Sequence, residues 1–296
     1  INSFAGSDLC YFIKFGHLFH PSKFVNLLTN HRSRERIVQL GNELMFGRGE
    51  PSQPHPSKTG GEIKKYFIDD VWLEIREETE FQQAFLEDQR FIIYDPSVTN
   101  DKKDGYIRLL ASKYIKLCCS ILIKEKNPGV KTAILSRTNY IEGVTLARFR
   151  HQLKAALHSF DPKGKLFSND QVDVQTAHSY KGGEADLVIL LNVNNGSFPL
   201  LHPDNALFGI FDKTLMDAMD EERRLFYVAL TRAKEKLFIL SEKEDSSIFL
   251  KPLSISLPNE ADHPWENLDF QTGNSPSIAG DELDLRYEIK EFEDNY

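Results

Sequence analysis

The sequence is poor in cysteine, methionine and tryptophan, with 3, 3 and 2 of them in 296 residues. Cys118 and Cys119 are neighbours that cannot easily bridge each other, Cys10 lies far away, and no pair has Cys-x-x-Cys spacing. Neither a disulfide framework nor a zinc site is suggested, no metal is expected, and the expected compartment is reducing. Long apolar runs are missing as well: none approaches the roughly 18 residues of a membrane span, and no basic-then-apolar leader opens the chain. The expectation is a soluble cytoplasmic protein with no membrane partner. Positive charge is scarce, with 36 Lys and Arg against 44 Asp and Glu and a net charge of -8. That balance argues against holding nucleic acid by bulk electrostatics but leaves room for a narrow basic track, since acid is concentrated in Asp281 to Tyr296. No Gly-x-x-x-x-Gly-Lys-Ser/Thr loop occurs anywhere. The chain therefore has no dedicated phosphate cradle, and any nucleotide role must be completed by another domain.

What is present is ordinary globular usage, 41% apolar and 27% charged, enough for one large or two modest domains. Ile1 in place of Met points to a fragment. Phe24, Leu27 and Leu28, followed by Ile37, Leu40 and Leu44, predict an extended approach and then a helix from about Ser33, with Ser33 as N-cap. Residues 47 to 61 are rich in Gly, Pro and Ser and predict a loop or linker; Glu62 to Ile68 follows as a strand. Residues 70 to 105 look like an insertion: an acidic helix over Val71 to Phe85, a short strand Phe91 to Tyr94, and a polar loop Ser97 to Gly105.

A helix is expected from Ile107 to Lys126, stopped by Pro128-Gly129, then a strand Thr132 to Ser136 and a helix Gly143 to His158. Gln171 to Thr176 alternates as a strand, Ala177 to Asp186 is polar, and Leu187 to Val193 is a continuous apolar run that predicts a buried strand. A charged helix Asp217 to Lys234 and a strand Leu237 to Leu240 complete the pattern. Alternating strands and helices predict an α/β fold, a mainly parallel sheet with helices on both faces. One domain is expected over residues 1 to 254, with an acidic, flexible tail over 255 to 296 that is a candidate protein-docking segment.

Three segments carry potential chemistry. In Asn30-His31-Arg32-Ser33 the Arg32 fork stands at a helix start, where it suits a phosphate or a plain capping role. Thr176 to Asp186 is dense in hydrogen-bonding groups, and Gly182 and Gly183 let backbone approach a ligand; a polar connector is the alternative. In Asp220 to Lys234 the charge run up to Arg224 reads as a solvated face. Arg232 differs: it closes the helix on its apolar stripe, seven residues after Leu225, and a cation there needs an anionic partner that the local sequence does not supply. All three are expected at the ends of strands or helices, where open α/β sheets put ligands.

In order and spacing these segments resemble the superfamily 1A helicases of the UvrD, Rep and PcrA type. LLTNHRS looks like motif IV, VQTAHSYKGGEADLVIL like motif V, EERRLFYVALTRAKEKLFIL like motif VI, and AILSRTN like the strand between motifs IV and V. The opening INSFAGSD is similar to the end of motif III. The resemblance covers roughly residues 1 to 46, 107 to 140 and 165 to 250. It implies a RecA-like second motor domain, termed 2A, of a 3′ to 5′ DNA helicase or translocase.

That family binds ATP with Mg2+ between two RecA-like domains. The missing N-terminal 1A domain would be this chain's partner, and the chain alone would be inactive. By the resemblance, Arg32 and Arg232 reach the γ-phosphate, Glu184 with Gly182 binds the nucleotide ribose, and Thr176 and His178 contact single-stranded DNA or a tailed duplex. Phe4 stacks on a base, and Arg137 and Asn139 also face DNA. Asn2, Gly183 and Ala185 depart from the family's usual Tyr, Leu and Phe. Only about 35 residues separate Asn139 from Thr176, too few for the large 2B insertion, so the nearest branch is that of helicase IV. A non-catalytic, helicase-derived binding scaffold is the alternative.

Overall fold

The computed structural model describes residues 14–23, 25–71, 100–125, 129–160, 171–201 and 214–255. In chain order the elements are α1 (Phe15–Leu18), β1 (Thr29–Asn30), α2 (Glu35–Leu44), β2 (Gln53–Pro54), β3 (Glu62–Phe67), α3 (Asn100–Lys124), β4 (Thr132–Ser136), β5 (Tyr140–Ile141), β6 (Val144–Thr145), α4 (Leu146–Phe160), β7 (Val172–Thr176), β8 (Ala185–Leu190), α5 (Leu215–Leu230) and β9 (Ala233–Ser241). Five strands form one sheet in the order β3-β9-β8-β4-β7, and every pairing in it is parallel.

Successive residues of a strand point to opposite faces, and the central strands divide two cores accordingly. Ile134, Leu187, Ile189, Phe238 and Leu240 join the core under α3 and α4. Ala133, Leu135, Val188, Leu190, Leu237 and Ile239 join the core under α2 and α5. β4 is buried at all five positions, whereas the edge strand β7 alternates between buried and partly exposed residues. This is the expected α/β architecture with helices on both faces. Between β7 and β8 the connection is a run of turns over residues 177–184 rather than a helix, and Ala177 and Tyr180 from that run pack into the second core.

Several local expectations are corrected. Ser33 is not the cap of α2: Arg34 holds that position without a side-chain cap, while the Ser33 hydroxyl donates to the Ala233 carbonyl at 2.7 Å. The first amides of α2 donate instead to Lys58 and Gly60, so the Gly/Pro-rich loop caps the helix through its backbone. Part of that loop is β2, paired in parallel with β1. α3 starts at Asn100, inside the expected polar loop, and ends at Lys124. Gly143 begins no helix. With Glu142 it makes the two-residue turn of a β5–β6 hairpin, both at positive φ (48 and 75), and α4 follows from Leu146. The helix and strand expected between Val71 and Tyr94, the Pro128 stop, Phe4, Asn2 and the acidic tail lie outside the described residues.

Candidate functional site

α5 ends at Leu230, and a two-residue turn, Thr231-Arg232, leads directly into β9. Arg232 therefore does not close the helix. It sits at the N-terminal end of β9, where pairing with β8 overrides the helical propensity of the Ala-Lys-Glu-Lys run. Its Nε donates to the Val228 carbonyl at 3.0 Å and its Nη1 to the Gly183 carbonyl at 3.0 Å. The missing anionic partner is thus replaced by two carbonyl oxygens, and among the described residues no carboxylate pairs with Arg232. Burial, then the neighbouring Arg32, push its pKa down, partly opposed by Glu184.

Two segments are fastened to the stretch Arg232–Lys234 at the start of β9. Ser33 binds the Ala233 carbonyl through its hydroxyl, Arg34 donates its amide to the Lys234 carbonyl at 2.8 Å, and the Ala185 amide donates to the Arg232 carbonyl at 3.1 Å. The Asn30 side chain accepts the amides of Arg32 and Ser33 at 2.9 and 3.0 Å, which fixes the turn that presents Arg32. Arg32 donates through Nε to Glu184 Oε2 at 3.1 Å and through Nη1 to the Thr231 carbonyl at 3.4 Å. Glu184 Oε1 accepts from Lys234 Nζ at 2.8 Å. Lys234 first and Arg32 second hold the Glu184 carboxyl below its usual range, and Lys234 is raised in turn.

Arg32, Gly182, Glu184 and Arg232 are therefore brought together. They lie at the N-terminal ends of β8 and β9, not at the carboxyl ends where open sheets usually place ligands, because the turn run 177–184 returns the chain to the start of β8. Gly182 has a φ of 91, in the left-handed region that glycine tolerates. A Cβ on Gly183 would meet the Tyr180 ring at 2.8 Å. The Tyr180 ring thus fills the space that a side chain at position 183 would need.

The second group of candidates lies at the opposite edge, at the carboxyl ends of β4 and β7. Thr176 is buried and its hydroxyl is engaged with Ser179, 2.8 Å to the side chain and 3.1 Å to the amide. Arg137 forks onto both oxygens of Glu222, at 3.0 and 2.7 Å, and Glu222 also accepts the Leu200 amide at 3.0 Å. Glu222 is 7% exposed, so part of the charge run on α5 is a buried anchor rather than a solvated face. His178 and Asn139 remain exposed. Burial, then Arg137, lower the His178 pKa. Sequence reasoning missed Lys234 and Glu222. Each sat inside a charge run, and only a distant chain segment gives it a partner.

Two guanidinium forks and a glycine turn thus meet at one edge of a parallel α/β sheet of the RecA-like kind, a donor set of the sort that suits an anion. Residues 122–244 match the model of the UvrD-like helicase C-terminal domain. It is 35% identical over 113 residues to DNA helicase IV of Escherichia coli (strain K12), covering 36% of this chain and 16% of that protein. It is 38% identical over 78 residues to a probable DNA helicase II homolog of Mycoplasma capricolum, covering 26% and 10%. The ATP-dependent DNA helicase PcrA of Bacillus subtilis is 34% identical over 76 residues, covering 25% and 9%. The match to these three relatives thus spans at most 16% of their length.

Proposed function

We propose that this chain is the second motor domain of an ATP-dependent 3′ to 5′ DNA helicase or translocase, and that it is inactive without an N-terminal domain bearing the phosphate cradle. The observation that carries this reading is the meeting of Arg32 and Arg232 at one sheet edge, with Arg232 free of any carboxylate pair among the described residues. A cation aimed by carbonyls rather than neutralised by an acid keeps its charge for an incoming anion. The donor set fits a polyphosphate, and Glu184 supplies an acceptor suited to ribose hydroxyls. ATP with Mg2+, held mainly by the N-terminal domain, would supply the transferable phosphoryl group. Arg32 and Arg232 would neutralise charge that develops on it, the arginine-finger role.

Single-stranded DNA, or the tail of a duplex, would cross the opposite edge. There His178 and Asn139 are exposed, while Arg137 and Thr176 act through the local geometry they fix. The domain would span residues 1 to 254 with an insertion near 70 to 105, followed by a flexible acidic tail over 255 to 296 that is a candidate protein-docking segment. The test is DNA-stimulated ATP hydrolysis by the full-length protein beside Arg232→Ala. The variant should bind nucleotide with little change and turn over about 10³-fold more slowly or worse. Undiminished turnover would sink the assignment, and no hydrolysis in either protein would turn the reading to a helicase-derived binding scaffold.

A further inference from the structure

The same edge carries a residue that neither the resemblance nor the proposed reaction uses. Lys234 reaches one oxygen of Glu184 while Arg32 holds the other, 2.8 and 3.1 Å away. The backbones behind these three side chains cannot move apart easily. Arg34, Ser33 and Ala185 are each bonded to the stretch Arg232–Lys234, so the segments bearing Arg32 and Glu184 are fixed to the strand that bears Lys234. What can exchange is the side-chain pairing. The Arg32 and Glu184 side chains are 34% and 46% exposed, which leaves both accessible to a ligand.

Resting on the proposed function, we propose that Lys234 is a positioning residue of the nucleotide site: it holds Glu184 in place so that Arg32 can leave its ion pair for a phosphate. The Arg32–Glu184 pair is then a latch that the nucleotide opens, because one guanidinium Nε cannot serve the carboxylate and a phosphate oxygen in the same geometry. With Lys234 in place, Glu184 keeps a cation on Oε1 when Arg32 departs. Without it, Arg32 is the remaining cation on Glu184 and is held back from the phosphate. Arg232, pinned by two carbonyls, takes no part in this exchange.

The experiment is a double-mutant cycle on steady-state ATP hydrolysis by the full-length protein. Exposed ion pairs are worth little, so Lys234→Met should raise KM for ATP about fivefold, with a much smaller effect on kcat than Arg232→Ala. Lys234→Arg should restore KM. In a Glu184→Gln background, where the latch is already weakened, Lys234→Met should change KM by less than about twofold. An unchanged KM in Lys234→Met, or the same rise in both backgrounds, overturns the role of Lys234. Arg232→Ala in the same assay separates the two failures. If it abolishes turnover while Lys234→Met is silent, the nucleotide site stands and the latch falls; if it leaves turnover intact, the site itself is wrong.

Discussion

Arg137 and Glu222 show how much a single residue's partner decides. Their side chains are 17% and 9% exposed, and both Glu222 oxygens are engaged by the Arg137 fork, with a third bond from the Leu200 amide. Removing one member of such a pair leaves an uncompensated charge in the interior. Glu222→Ala should therefore cost about 3 to 5 kcal/mol in urea unfolding, more than the same change at its only partly buried neighbour Glu221. Equal losses at the two positions would show that Glu222 is not an anchor. From the sequence alone the two glutamates are indistinguishable neighbours. Arg232 presents the converse case: its place on an apolar stripe pointed to a partner, and that partner proved to be backbone carbonyl.

At the scale of elements, boundaries followed local chemistry where the chemistry was strong. β4 runs from Thr132 to Ser136 as expected, because a short strand with an apolar centre, Ala133 to Leu135, flanked by Lys131 and Arg137 has one stable register between two neighbours. α5 was placed correctly but overextended, since its last turn gives way to β9. The β5–β6 hairpin was invisible, because Glu-Gly is a weak turn signal next to the helical pattern that follows. The packing of α2 on α5 depends on a glycine. A Cβ on Gly41 would lie 2.9 Å from the Tyr227 ring and 3.6 Å from Thr231. Gly41 lies mid-helix, where alanine is otherwise preferred, so Gly41→Ala should destabilise by about 1 to 3 kcal/mol despite its better propensity. Tyr227→Leu should recover part of that loss; a stabilised Gly41→Ala would mean that the helices can move apart.

Across the whole molecule, the sheet separates two cores, and the one under α3 and α4 contains Cys118 and Cys119, both fully buried. Burial pushes both thiols well above their ordinary range. Since the thiolate is the reactive form, neither cysteine should react with iodoacetamide at about pH 8 until the domain unfolds; mass spectrometry of native and urea-treated protein checks this, and labelling in the native state would refute the packing. Among the described residues no helix is long and apolar enough to cross a membrane, and no group of His, Cys, Asp and Glu is arranged to hold a metal.

The sequence by itself determined the alternation of strands and helices, the parallel sheet and the lack of a phosphate-cradle motif in this chain, because each rests on short-range periodicity or on a contiguous motif; it singled out the two arginines as candidates in the same way. Only the tertiary structure decided that Arg32, Glu184, Arg232 and Lys234 share one edge of the sheet while Arg137 and His178 lie on the other. Residues 152 positions apart, such as Arg32 and Glu184, become neighbours through strand order and through turns that return the chain across the sheet, and neither leaves a local trace in composition or spacing.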